Sequence, residues 1–281
     1  MKRMDYRKAL KKKQKIVVKV GSSNLVHEET GKINYSKLEH LVRILCDMKN
    51  QGKDVILVSS GAIPVGFNAL GLSKKPKTLS LKQACAAVGQ GQLMMIYQKL
   101  FAEYHQMAAQ VLLTKRVLTN DKRRMNVINT FQELLQLDVI PVVNENDTVS
   151  THEIEFGDND TLSAVVASLV EADLLILLSD IDGLFTDDPH NNPDASLIDV
   201  VEEITDDIVK MAKESVTTVG TGGMITKFHA AQIANSSGCD MVIANGRRVE
   251  IIQDIINGKN VGTLFVRNQV NDFDMKEFLN D

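Results

Sequence analysis

Cysteine is scarce in this chain of 281 residues: Cys46, Cys85 and Cys239 stand far apart, odd in number and without a CxxC pair. That speaks against a disulfide framework or a zinc knuckle and points to a reducing compartment. Proline is nearly as scarce, with five residues. No Pro/Gly/Ser-rich stretch divides the chain, so it reads as one continuous domain. No apolar run approaches the ~18 residues of a membrane span. The opening Met-Lys-Arg-Met-Asp-Tyr-Arg-Lys has no apolar stretch behind it, so no signal peptide is expected. Six histidines give no HExxH or other ligand spacing, and no metal site is expected of the protein itself. An excess of positive charge is missing too. Lysine and arginine number 32 against 36 acids, a net charge of −4, which argues against a dedicated nucleic-acid binder. What remains is a soluble, cytoplasmic globular protein. Its length suffices to bury about three quarters of the unfolded surface.

The one basic stretch runs from Lys2 to Lys15, with eight basic residues and a single acid, Asp5. It reads as a solvated helical extension; the alternative is an arm for an anionic partner. Beyond it the pattern changes. Ile16–Val20 is a β-branched run that ends at Gly21, as a buried strand would. A helix is expected over 36–50, with Leu38, Leu41, Leu45 and Met48 on one face and Gly52 just past its end. The rhythm continues with strands at 55–58, 110–113, 139–143, 174–178, 240–244 and 262–266. Helices are expected over 81–103, interrupted at Gly89 and Gly91, and over 126–137, 159–171, 224–237 and 249–256. Strands alternating with helices imply a mostly parallel sheet covered on both faces.

Ligands of such sheets bind beyond the carboxyl ends of the strands. Those positions are polar and glycine-rich here: Gly21-Ser22-Ser23, Ser59-Ser60-Gly61, Asn144-Glu145-Asn146-Asp147 and Ser179-Asp180. Gly21-Ser22-Ser23 follows a strand carrying Lys19, and small residues let backbone N–H groups close on an anion. Alone it is a tight turn beside a lysine, and it is not a GxxxxGK[ST] loop. Gly220-Thr221-Gly222-Gly223 leads into a helix with Lys227 on its first turn, and free N–H groups at such a start attract phosphate. The plainer alternative is a surface loop. Two such loops, each with a lysine, suggest phosphoryl binding or transfer more strongly than either does alone. Asn144–Asp147 and Gly157-Asp158-Asn159-Asp160 concentrate amides and carboxylates suited to an ammonium ligand; taken singly, each reads as a polar turn, with Asp158 a candidate helix cap.

The order of these segments, from 16 to 266, resembles the amino acid kinase family. The segments that carry the likeness are Val18–Ser23, Val58–Ile63, Val143–Asp147, Phe156–Asp160 and Gly220–Lys227, and the asparagine/aspartate loops resemble its glutamate branch. The resemblance implies an α/β fold, a three-layer αβα sandwich with a mostly parallel central sheet of about eight strands. It implies a kinase domain over 15–268, a basic extension over 1–14 and a tail over 269–281, as in members without a C-terminal PUA domain. The implied reaction is ATP-dependent phosphorylation of the side-chain carboxylate of L-glutamate, opening proline biosynthesis. ATP with Mg²⁺, feedback by proline and self-association into a homo-oligomer are implied as well, with no membrane or nucleic-acid partner.

By the same resemblance, Lys19, Lys227, Asp160, Gly21 and Gly61 are the catalytic set. The lysines would contact the phosphates, Asp160 would hold the lysines, and the backbone N–H groups of Gly21, Ser22, Ser23 and Gly61 would meet the γ-phosphoryl oxygens. Ser60, Asn144, Asp147 and Asn159 would line the glutamate site, with Asp147 facing the ammonium group. ATP would be bound by Lys19, Ser22, Ser23, Ser179, Asp180, Thr221, Gly222, Gly223, Met224, Ile225, Thr226 and Lys227. A glutamate side chain, with a pKa near ~4.3, is already ionised at neutral pH, so no general base is sought. Other acceptors within the family, a non-catalytic amino-acid sensor and a nucleic-acid binder remain the alternatives.

Overall fold

The computed structural model describes residues 6–149, 156, 158–187, 192, 194–205, 208, 223–270, 273 and 275–279. It divides into two compact units. A continuous unit runs from Val20 to Asn159, and a split unit joins Met1–Lys19 to Asp160–Asp281.

In the continuous unit, β2 (Asp54–Ser59), β3 (Ala108–Leu113) and β4 (Ile140–Glu145) pair in parallel. β4 lies between the other two, with Leu57 opposite Val142 and Ala108 opposite Ile140. β4 is buried along its whole length, so its polar end, Asn144 and Glu145, is carried into the interior by the Ile140–Val143 run. Each fully buried Val or Ile contributes about 1.5–3 kcal/mol. The helices are α2 (Tyr35–Asn50), α3 (Ala62–Ala69), α4 (Leu79–Glu103), the short α5 (Arg116–Thr119) and α6 (Asp121–Gln136). Side chains of Asn34, Thr78 and Asn120 accept N–H bonds from Lys37, Leu81 and Arg123 and so start α2, α4 and α6. α2 buries Leu38, Leu41, Leu45 and Met48 as its spacing predicts, and Gly52 takes φ 82° just beyond it.

One expectation differs from the structure here, and one helix was not anticipated. α4 runs unbroken through Gly89 and Gly91, and α3 occupies a stretch to which the sequence pattern assigns no element. Both follow from one contact. A Cβ on Gly89 would lie 1.8 Å from the Ala62 carbonyl oxygen, and one on Gly66 would lie 1.8 Å from that of Cys85. The glycines let two helix backbones touch, and that packing offsets their poor propensity.

In the split unit, β5 (Leu174–Ser179) pairs in parallel with β7 (Asp240–Asn245), and β6 (Val200–Val201) with β8 (Thr263–Phe265). β7 and β8 run antiparallel. β1 (Lys15–Val20) supplies its first five residues to this unit. The helices are α7 (Asn159–Leu169, from Asp160 onward), α8 (Met224–Ser236), α9 (Ile251–Ile256) and the four-residue α1 (Tyr6–Ala9) and α10 (Met275–Phe278). Among the described residues there are eight strands, and the pairings within the two units are parallel except for β7 with β8, which gives the mostly parallel α/β architecture expected. Among the described residues no helix is long and apolar enough to cross a membrane.

From Tyr6 onward, where its residues are described, the basic opening segment is not a solvated extension. Arg7, Leu10 and Lys13, three apart along a helical turn, are all buried. Arg7 donates to the carbonyls of Asp199, Gly262 and Val261 at 2.7, 2.7 and 2.8 Å, and Lys13 lies 2.5 Å from Asp240. The run hides its order: the intervening Lys8, Lys11 and Lys12 are exposed, and only the spacing separates the two faces.

Candidate active site

Three charged side chains meet in the split unit. Lys19 is the penultimate residue of β1, Asp160 sits on the first turn of α7 and Lys227 on the first turn of α8, and all three are buried. The Lys19 Nζ lies 2.6 Å from Asp160 Oδ1, and the Lys227 Nζ lies 3.1 Å from Oδ2. Thr226 Oγ1 adds a donor 3.3 Å from the same Oδ2. Burial alone would push the Asp160 carboxyl up, but the two ammonium groups outweigh it and hold it below its ordinary value. One ionised carboxylate between two cations leaves a net positive charge out of water. A buried triad of this kind adds little to stability against apolar packing. It is suited to a multiply charged anion, which gains from both ammonium groups at once.

The other nucleotide candidates of this unit sit at strand and helix ends. Ser179 closes β5, and its hydroxyl donates to the exposed Asp180 carboxylate at 3.0 Å. Gly223 precedes α8 in an extended conformation, followed by Met224, Ile225 and Thr226 on its first turn. Thr226 Oγ1 also lies 2.9 Å from the Gly223 carbonyl oxygen, so its single O–H is shared between that oxygen and Asp160. Thr221 and Gly222, with Gly157 and Gly220, lie outside the described residues. Asn245 escaped the sequence reading. It closes β7 opposite Ser179 and donates to Asp182 Oδ1 at 2.7 Å. Ending that strand at Ala244 left it one residue short of its polar terminus.

In the continuous unit the candidates are neutral apart from Asp147. Gly21 leads into a 3₁₀ turn, Ser22–Asn24. The Ser60 N–H donates to the Val20 carbonyl at 3.1 Å, and Gly61 takes φ 102°, a left-handed conformation that admits glycine far more readily than other residues. Asn159 donates one N–H to Ser60 Oγ at 2.8 Å and another to Asn144 Oδ1 at 2.9 Å. Asn144 in turn donates to Gln90 Oε1 at 2.9 Å. Asp147 is half-buried in the turn that follows β4. Ser60, Asn144 and Asn159 are therefore brought together. Gln90 is a member that the sequence reading missed; a glutamine flanked by Gly89 and Gly91 in a long helix was the available signal. Glu145, beside Asn144, accepts the Phe156 N–H at 2.9 Å and so anchors the chain just before Asp158.

Within the split unit, a carboxylate bracketed by two buried lysines has the charge and geometry that suit a phosphoryl group. The model of the amino acid kinase family matches residues 14–245, and the chain belongs to that family. Within it, the chain is 53% identical over 264 residues to the glutamate 5-kinase of Clostridium perfringens, covering 92% of this chain and 98% of that protein. It is 56% identical over 259 residues to the glutamate 5-kinase of Carboxydothermus hydrogenoformans, covering 92% of this chain and 69% of the relative. Among solved structures, the carbamate kinase from Giardia lamblia bound to AMP-PNP has the same fold, with a TM-score of 0.64 at 14% identity over 92% of this chain and all of that one.

Proposed function

We propose that this protein transfers the γ-phosphoryl group of ATP to the side-chain carboxylate of L-glutamate, giving L-glutamyl 5-phosphate and ADP in the first step of proline biosynthesis. The observation that carries the reading is the pair of buried ammonium groups on Asp160, at 2.6 and 3.1 Å, in a chain so similar to glutamate 5-kinases.

The chemistry follows from charge. Glutamate brings a nucleophile that needs no deprotonation, with a pKa of about 4.3. The obstacle is repulsion between that anion and a triphosphate. Positioning and positive charge on the transferred group lower it. Lys19 and Lys227 supply the charge, and Asp160 fixes their separation. Backbone N–H groups of Gly21, Ser22, Ser23 and Gly61 complete the anion's shell. Ser179, Asp180, Thr221, Gly222, Gly223, Met224, Ile225 and Thr226 hold the nucleotide. Ser60, Asn144 and Asn159 orient glutamate, and Asp147 takes its ammonium group.

Mg²⁺ accompanies the ATP in this reading. Among the described residues no three acidic, histidine or cysteine groups converge on one point, and Asp160 is already spent on two lysines. The donor set thus fits an ion carried by phosphate oxygens and water. When bound, it would neutralise charge on the β- and γ-oxygens. The same proposal covers a kinase domain at 15–268 flanked by 1–14 and 269–281, assembly as a homo-oligomer, inhibition by proline and a cytoplasmic setting. Three free, buried cysteines suit a reducing compartment.

The test is glutamate-dependent ADP release with hydroxylamine present to trap the acyl phosphate. Glutamate should give hydroxamate, while aspartate, acetylglutamate and carbamate should not. A better rate on any of these overturns the reading.

A further inference from the structure

We propose that Gln90 is a positioning residue that sets the direction of a hydrogen-bond relay, so that Ser60 offers a donor and Asn159 an acceptor to the amino-acid substrate. The inference rests on the functional reading above for the identity of that substrate. The relay itself is geometric. Gln90 Oε1 accepts from Asn144, Asn144 Oδ1 accepts from Asn159, and Ser60 Oγ accepts from Asn159, at 2.9, 2.9 and 2.8 Å.

Every amide in the line points the same way. Asn159 uses an N–H toward each of two neighbours, so its Oδ1 is left to accept. Ser60 Oγ already receives a bond, so its own O–H turns outward as a donor. A zwitterion needs both: donors for carboxylate and acceptors for ammonium. If the group at position 90 donated instead, Asn144 and Asn159 would each have to turn over. Ser60 would then donate inward and present a lone pair where a carboxylate needs a proton.

The fold places Gln90 for this role. It is buried on α4, one residue after Gly89, whose backbone touches that of α3. α3 begins directly after Ser60 and Gly61, so one helix contact fixes both ends of the relay. Seven residues on, along the same face, the fully buried Tyr97 hydroxyl bonds Ser59 Oγ at 2.9 Å. Burial pushes the Tyr97 phenol up from its ordinary value, so this second contact is neutral too. α4 thus grips the polar ends of β2 and β4 through two uncharged groups.

Two substitutions separate the readings. Gln90→Met keeps length and removes the acceptor; Gln90→Glu keeps the acceptor and removes the donor. Gln90→Met should raise the glutamate KM about tenfold, as losing one buried hydrogen bond would, with the ATP KM unchanged. Gln90→Glu, which keeps the acceptor but buries a charge, should raise the glutamate KM less than Gln90→Met does. Combining Gln90→Met with Ser60→Ala should add little to Ser60→Ala alone, because both act through the same hydroxyl. A merely structural Gln90 predicts additive effects and a lowered kcat at unchanged KM. An unchanged glutamate KM in Gln90→Met, or equal losses in Gln90→Met and Gln90→Glu, overturns the proposal. The hydroxamate assay on wild type is run first, and the variants are compared on whichever acceptor it uses. Failure of the relay and failure of the glutamate reading are then seen separately.

Discussion

In the split unit the candidate residues are Lys19, Asp160 and Lys227, three full charges drawn to 2.6 and 3.1 Å. In the continuous unit, beside the charged Asp147, they are Ser60, Gln90, Asn144 and Asn159, four neutral groups linked at 2.8 to 2.9 Å. Both sets are largely withdrawn from water, but they do different work. Charges at close range are strong and tolerant of direction, which suits a phosphate with several equivalent oxygens. Amides and hydroxyls are weaker and directional, which suits a substrate whose two ends carry opposite signs.

The contrast can be broken most sharply at Lys227. Replacing it with alanine should lower kcat by roughly 10²–10³-fold, the usual loss when a donor to developing charge is removed. The glutamate KM should change far less; an unaltered kcat in steady-state assays would remove Lys227 from catalysis. Next in size is Asp160→Asn. It leaves two buried ammonium groups facing one another and should cost about 3–5 kcal/mol in urea unfolding. A loss below about 1 kcal/mol would mean that the triad is more solvated than its burial indicates.

A smaller effect belongs to the α3–α4 contact. Gly89→Ala forces a methyl against the Ala62 carbonyl and should cost about 1–3 kcal/mol. Gly91→Ala meets nothing within 4 Å and should be neutral or stabilising by up to about 1 kcal/mol. Equal melting temperatures would show that the helices do not touch through glycine. The mildest effect is that of pH. Burial would raise the carboxyls of Asp160 and Asp173, but lysines in one case and the Lys15 and Gln14 N–H groups in the other hold both below their ordinary value. A carboxylate depressed in the folded state stabilises above its unfolded pKa of about 3.9 and loses that contribution as pH falls through the lower folded value. Melting temperature should therefore be level from neutral pH to about 5 and decline below about 4. Amides of the split unit should lose exchange protection first; earlier loss in the continuous unit would reverse the contrast.

Much of this was legible in the sequence, unevenly. The apolar runs of β1, β2, β5 and β7 appear within a residue or two of their observed limits, because apolar strands bounded by glycine and serine carry their own punctuation. The polar motifs at their ends were legible for the same reason. What escaped depends on contacts distant in sequence. α3 contains Pro64 and Gly66, and its pattern announces no helix until Gly89 is placed against it. Gln90 looks like a polar residue in a helix until Asn144 is placed beside it.

The clasp made by Arg7 has a practical consequence for anyone preparing this protein. Its guanidinium occupies three carbonyl oxygens, and Gly258 turns with φ 71° so that the Arg7 backbone can pass close by. A protease or a cloning choice that removed the first dozen residues as a dispensable leader would strip those oxygens of their donor and open an apolar seat where Leu10 had been. The shortened product should be prone to aggregation, even though every residue proposed to touch substrate would still be in the chain.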